Sequence, residues 1–232
     1  MSMTFSQLVG ELPALVAFDL DGTLVDSVPD IAMAVDQMLA ALGRPAAGEG
    51  AVRHWVGNGA EILVKRALAN TVDESAVAAV SDAQMEEAFP LFKEFYHRCN
   101  GKDTKLYDGV EACLRGLFDL KIPLVVVTNK PKVFTDPLLK ALAVDHYFAE
   151  VIGGDCFPEK KPSPMALNHL VELFQVEPSQ CVMVGDSKHD VGAARAAGYK
   201  ALCVSYGYNH GEPISNANPD LVVDRLDVLV GE

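Results

Sequence analysis

Apolar positions fall along this chain in two kinds of pattern. One kind is short and unbroken: Leu12 to Phe18, Pro123 to Thr128, Phe148 to Gly153, Cys181 to Gly185, Ala201 to Ser205 and Leu221 to Val223. The other recurs at helical spacing and predicts helices over 109–120, 133–143, 165–174 and 191–198. Continuously apolar strands alternating with amphipathic helices form a parallel sheet buried on both faces, because each crossover helix covers one face. The expected fold is therefore α/β, a Rossmann-like, doubly wound parallel sheet.

The stretch from 27 to 105 departs from this pattern. It has no convincing strand, and its apolar positions keep a helical period. Ser27 is the expected N-cap of a first helix, with Pro29 in the first turn, Ile31, Val35, Met38, Leu39 and Leu42 on one face, and Gly43 at the end. A Pro/Gly-rich loop from Arg44 to Gly50 leads to a short helical piece ending near Trp55. Gly57-Asn58-Gly59 interrupts it, and Ala60, Leu63, Val64, Ala67 and Leu68 resume the period. A third helix is expected from about Ser75, with Val77, Val80, Ala88, Phe92, Phe95, Tyr96 and Cys99 on one face. A βαβ step needs only about 30 residues. The excess predicts a helical cap domain, 27–105, inserted into a core made of 1–26 and 106–232.

Composition narrows the function. With 232 residues, half of them hydrophobic, the chain can bury one substantial core, or a core plus a small appendage. Its formal charge of −13 argues against nucleic acid or an anionic membrane as a partner. The five cysteines lie scattered without a C-x-x-C pair, so neither a disulfide framework nor a thiolate zinc site is indicated. The absence of a spanning apolar run and of a cationic N-terminal segment before an apolar one points to the cytoplasm. Oligomeric state has no signature in the sequence.

The polar residues that remain gather at strand ends, where open α/β sheets bind their ligands. Phe18-Asp19-Leu20-Asp21-Gly22-Thr23 closes the first strand, Thr128-Asn129 the second, Lys161 follows Gly153-Gly154-Asp155, and Asp186 and Asp190 follow Val184-Gly185. Converging Asp19, Asp21 and Asp186 would repel by roughly 4 kcal/mol per pair at 4 Å and an effective dielectric of about 20. A hard divalent cation such as Mg²⁺ removes that penalty and accepts substrate phosphate as a further ligand. Thr128 and Lys161 offer a hydroxyl and a positive charge to phosphate oxygens. Phosphoryl transfer needs mainly such positioning and neutralisation. Asp19 can then attack phosphorus, and Asp21 can protonate the leaving oxygen and later activate water. Asp190, one turn into the following helix, is suited to holding Lys161 or the metal shell, and Thr23 to a hydrogen bond that orients Asp21 within the turn.

In order, D-L-D-G-T-L-V-D-S, T-N-K-P, K-K-P and G-D-S-x-x-D resemble the motifs of the haloacid dehalogenase superfamily of aspartate-nucleophile phosphatases. The resemblance implies Asp19 as nucleophile and metal ligand, Asp21 as acid/base and as a ligand through its backbone carbonyl, and Asp186 as third ligand. It assigns phosphate to Thr128, Asn129 and Lys161. The dehalogenases of that superfamily lack the second Asp of D-x-D, so Asp21 argues for a phosphatase.

More narrowly, R-H-W-V-G-N-G-A-E-I-L-V-K-R-A-L, V-I-G-G-D and Y-G-Y-N-H-G-E look like stretches of the bacterial phosphoglycolate phosphatases. That implies a small anionic phosphomonoester as substrate. Asn58 and Gly59, opening a helix, could then meet its carboxylate, or form only a helix–helix turn. Arg53, His54, Lys65 and Arg66 could add positive charge or lie in solvent. A phosphatase or phosphomutase for a sugar phosphate or nucleotide would share the same core, since the cap carries the specificity. A phospho-Asp receiver lacks both the Asp21 base and an inserted cap. The linkers near Asp26-Ser27 and Asn100-Gly101 are the expected hinges of cap closure.

Overall fold

Two sets of elements interrupt one another in chain order. The computed structural model describes residues 5–230; residues 1–4, expected at the N-terminal end of the core, and residues 231–232 lie outside the described residues. The chain opens with α1 (Phe5–Val9), β1 (Leu15–Phe18) and β2 (Val25–Asp26). Five helices follow: α2 (Val28–Ala41), α3 (Gly48–Trp55), α4 (Ala60–Ala69), α5 (Glu74–Ala78) and α6 (Asp82–Cys99). After β3 (Lys105–Leu106) the alternation resumes with α7 (Val110–Asp119), β4 (Leu124–Val127), α8 (Lys132–Ala141), β5 (Glu150–Ile152), α9 (Met165–Phe174), β6 (Cys181–Gly185), α10 (Lys188–Ala197), β7 (Lys200–Val204) and β8 (Leu221–Val223).

Six strands form one parallel sheet in the order β5-β4-β1-β6-β7-β8. The chain winds outward from β1 through β4 to β5, then returns to the other side of β1 and winds outward again. The direction reverses at the β1/β6 seam, so a crevice opens outside the carboxyl ends of those two strands. Alternate residues of each strand supply opposite faces. Val16, Phe18, Val126 and Val184 pack with Leu114 and Leu117 of α7. Leu15, Ala17, Val125 and Met183 pack with Leu167 and Leu170 of α9 and Ala194 of α10. This is the doubly wound sheet that the apolar runs predict.

The helical block has its own buried cluster, built on Val35, Met38, Trp55, Val64, Phe92 and Tyr96. Among the described residues only Phe134 of α8 and Tyr208, from the loop after β7, enter it from outside residues 28–99. Phe134 lies 4.8 Å from the Tyr96 ring and 6.5 Å from Phe92 between centroids. At the root of the block, β2 and β3 pair antiparallel, Val25 with Leu106 and Asp26 with Lys105. Two residues per strand are too few to leave a sequence pattern. Beside this ribbon, buried Asp30 of α2 accepts from the N–H groups of Gly101, Asp103 and Thr104 and from the Thr104 hydroxyl. One carboxylate thus ties the return linker to the first helix of the block.

Three local expectations are corrected. The single helix expected from Ser75 is two, α5 and α6. Ser81 is extended and reciprocates with Gln84 in a capping box, which stops one helix and starts the next. The loop expected to Gly50 already turns helical at Gly48, where φ is +75°. Ser27 precedes α2 but does not cap it with its side chain, because its hydroxyl is committed to Asp21. All five cysteines are free, and among the described residues no helix is long and apolar enough to cross a membrane.

Candidate active site

The seam between β1 and β6 fixes the first carboxylate. The Asp19 N–H donates to the Val184 carbonyl at 2.8 Å, so the residue leaves the sheet where the strand order reverses. The chain then folds tightly: the Leu20 carbonyl accepts from Thr23, Leu24 and Val25, and the Gly22 N–H donates to Val25. Gly22 has φ +89°, and a Cβ there would lie 2.5 Å from an Asp186 oxygen. A Cβ on Gly207 would lie 2.1 Å from that of Asp186. Two glycines thus let the β1 turn and the loop after β7 close on the Asp186 carboxylate.

Asp186 is 2 % exposed and held on both oxygens: Thr23 Oγ1 donates to Oδ1 at 2.9 Å and the Tyr208 N–H to Oδ2 at 2.7 Å. Thr23 therefore serves Asp186 and not Asp21, contrary to expectation. Its side chain is fully buried and points across the seam instead of along its own turn.

Lys161 ties four strand ends together. Its Nζ donates to the Val127 carbonyl and to Asp190 Oδ1, both at 2.6 Å, and lies 2.9 Å from Asp19 Oδ1. The contact with Asp19 is an ion pair outside hydrogen-bond alignment, so this buried oxygen has no hydrogen-bond partner. Asp190 uses its second oxygen to accept from the N–H groups of Asp186 and Ser187 and from the Ser187 hydroxyl.

Oxygens of Asp19, Asp186 and Asp190 come within 4.8 Å of one another. Asp190 is the poorest metal ligand of the three, because its oxygens already accept four hydrogen bonds, whereas each Asp186 oxygen accepts one and keeps a lone pair. Three buried carboxylates face one ammonium. Burial, then the Asp190 charge beyond what Lys161 offsets, pushes the Asp19 carboxyl up to about 6. Burial together with Asp190 and Asp19 pushes Asp186 to about 8. Burial disfavours the Lys161 ammonium, but Asp19 and Asp190 outweigh it and hold its pKa above the ordinary value. Open lone pairs on Asp19 and an excess of buried negative charge fit a hard divalent cation bound through oxygen.

Asp21 faces a different set of partners. Its Oδ1 accepts from the Ser27 hydroxyl at 2.5 Å, and Lys130 Nζ lies 3.0 and 3.2 Å from its two oxygens. Lys130 also donates to the Tyr96 hydroxyl, and its Nζ sits 4.7 Å from the centroid of that ring. A cavity of about 40 Å³ opens here, with Asp19, Asp21, Thr128 and Lys130 on the sheet side and Ile31, Leu63 and Phe92 on the helical side. The Thr128 oxygen accepts from the Lys130 N–H, which leaves its proton free to donate.

The remaining predicted residues divide. Gly59 lines the cavity at the start of α4, whereas Asn58 does not; its amide bridges Arg66 and His189, at 3.0 and 2.9 Å. The Asn129 side chain donates to the carbonyls of Gly57 and Lys161, so its amide nitrogen joins the helical block to the Lys161 loop and is not open to phosphate. Arg53 pairs with Asp26, Arg66 holds the Trp55 carbonyl, and neither lines the cavity. No site role was expected of Tyr96, Ser27 or Tyr208. Lys130 stood within T-N-K-P, but Tyr96 had only the signature of a core position.

Comparison with known proteins agrees with this geometry. A family profile described as haloacid dehalogenase-like hydrolase matches residues 13–198. The chain is 50% identical over 227 residues to a phosphoglycolate phosphatase of Pseudomonas putida, covering 97% of this chain and 82% of that protein. It is 48% identical over 216 residues to one of Vibrio cholerae, covering 93% and 95%. The crystal structure of a predicted phosphoglycolate phosphatase from Haemophilus somnus superimposes with a TM-score of 0.85 at 35% identity, covering 92% of this chain and 95% of that one. Sheet order, strand-end carboxylates and these matches agree: the chain belongs to the haloacid dehalogenase-like hydrolases.

Proposed function

We propose that this chain is a Mg²⁺-dependent phosphatase that hydrolyses 2-phosphoglycolate to glycolate and phosphate through an aspartyl-phosphate on Asp19. One observation carries the reading: a buried Asp19 carboxylate at the seam, paired with Lys161, beside Asp186, and lining a cavity closed on its far side by helices. The names of the Pseudomonas and Vibrio relatives support the substrate.

Asp19, Asp186 and the Asp21 backbone carbonyl would hold the cation. When bound, it supplies positive charge to the phosphoryl oxygens and offsets the carboxylates. The chain's own residues do the rest. Lys161 and the Thr128 hydroxyl hold phosphoryl oxygens, Lys161 being fixed by Asp190 and Val127. An Asp19 oxygen attacks phosphorus in line, the ester P–O bond breaks, and Asp21 gives its proton to the departing glycolate oxygen. Asp21, now a carboxylate, takes a proton from water as that water attacks the phosphorus of the aspartyl-phosphate. Phosphate leaves and Asp19 is restored.

Residues 27–105 act as a cap in this reading, excluding water while the phosphoenzyme stands. The hinges are the β2/β3 ribbon and the linker held by Asp30. The test is phosphate release from 2-phosphoglycolate beside glucose 6-phosphate and nucleoside monophosphates. We expect a preference for 2-phosphoglycolate of at least about tenfold. We also expect loss of activity in EDTA and by roughly 10⁴-fold in Asp19→Asn. Faster turnover of a sugar phosphate would overturn the substrate.

A further inference from the structure

The cavity carries one charge that phosphate chemistry leaves unused. Lys161 belongs to the phosphate site proposed above: it lies against Asp19, is held by Asp190 and the Val127 carbonyl, and does not line the cavity. Lys130 does, and among the described residues it is the only cationic side chain that does so. Its side chain is 4% exposed. Burying an ammonium costs several kcal/mol unless its partners compensate. Here they are one carboxylate, which also serves Ser27, and one neutral phenol. The wall beyond is apolar, with Ile31, Leu63, Phe92 and Phe134. The acceptors around the ammonium are the two oxygens of Asp21, at 3.0 and 3.2 Å, and the Tyr96 oxygen. The Tyr96 oxygen accepts from Lys130, so its own proton can be donated elsewhere.

We infer that Lys130, with the Tyr96 hydroxyl, receives a carboxylate carried on the carbon next to the phosphate ester, and so selects phospho-carboxylates over uncharged monoesters. The inference rests on the function proposed above and deepens it. Covalent geometry makes the fit: in an O–CH₂–COO⁻ group the carboxylate oxygens lie about 3–4 Å from the ester oxygen. Asp21 must touch that ester oxygen to protonate it, and Lys130 lies 3.0 Å from Asp21. A carboxylate there meets the ammonium charge and the phenolic proton inside a low-dielectric pocket. An ethyl group at the same place meets neither. Tyr96 comes from α6 and Lys130 from the strand-end loop after β4, so the receptor is complete only when block and sheet are together.

The test is the ratio of kcat/KM for 2-phosphoglycolate to that for ethyl phosphate. In Lys130→Met the ratio should fall about 100-fold, in the range of a lost charge-assisted hydrogen bond. Lys130→Arg should keep most of it, and Tyr96→Phe should lower it about tenfold. An equal fall for both esters would overturn the inference, because Lys130 would then only position Asp21. An unchanged ratio would overturn it too. Wild-type protein that turns over both esters equally well would remove the substrate reading along with it. Calorimetric titration of 2-phosphoglycolate into Asp19→Asn and into the Asp19→Asn, Tyr96→Phe protein gives a second measurement independent of turnover. The second variant should bind several-fold more weakly, and equal binding would count against the receptor.

Discussion

The two aspartates of D-x-D are held by two buried lysines in unlike surroundings. Lys161 lies within the sheet's own edge: all its partners, Asp19, Asp190 and the Val127 carbonyl, belong to strand ends or the helix that follows one. Lys130 bridges to the helical block, touching Asp21 on one side and Tyr96 on the other. Asp21 in turn reaches Ser27 at the start of α2. One carboxylate is thus rigidly framed by the sheet, and the other is framed by groups that come together only where sheet and helices meet. The difference teaches a division of labour. On the function proposed above, covalent chemistry would sit on the rigid edge, and recognition of the leaving group on the contact between the two regions.

Three further outcomes sharpen or break this comparison. Lys161→Met leaves Asp19 and Asp190 buried without a counter-charge, and should cost about 3–5 kcal/mol of stability in urea denaturation. Lys130→Met should cost less, about 1–2 kcal/mol, since Asp21 keeps the Ser27 hydroxyl. Equal losses would mean that the two lysines are equivalent supports.

Asp30→Ala removes four hydrogen bonds that hold the return linker to α2. A loss of about 2–3 kcal/mol is expected, with faster hydrogen exchange confined to residues 101–104 and the helical block. Exchange that spreads equally into β1 and β6 would deny the linker its separate role.

A further outcome concerns pH. Asp19 and Asp186 have folded values raised to about 6 and about 8. The metal-free folded chain therefore binds more protons than the unfolded one from about pH 4 up to about 8. Its stability falls as pH rises through that window. Thermal melts in EDTA should move down between pH 5.5 and 8, and Mg²⁺ should restore more at pH 8 than at 5.5. A melting temperature that rises with pH in EDTA would contradict the buried-carboxylate account.

Much of the core was legible. Unbroken apolar runs gave the six strands, with β8 and the helix α9 also at their observed bounds; β6 is exact because a strand buried on both faces leaves no polar position to confuse its limits. The strand-end residues Asp19, Thr128, Lys161 and Asp186 were legible for a chemical reason. Few side chains can bind a phosphate or a cation, and the sheet topology says where they must stand. The helical block was harder. Its capping box at Ser81 splits a helix whose apolar period runs on, and Asn58 looked as exposed to a ligand as Gly59 until Arg66 and His189 were seen to hold it.

By itself, then, the sequence determined the alternation of strands and helices, the insertion after β1 and the chemical set at the strand ends. All of these depend on local periodicity and residue type. Only the tertiary structure decided that Thr23 serves Asp186, that Asn129 joins the helical block to the Lys161 loop, and that Lys130 meets Asp21 and Tyr96. Those pairings join residues far apart in the chain, as Thr23 and Asp186 are at 163 positions. Side-chain direction across such a gap is set by packing, and no local pattern encodes it.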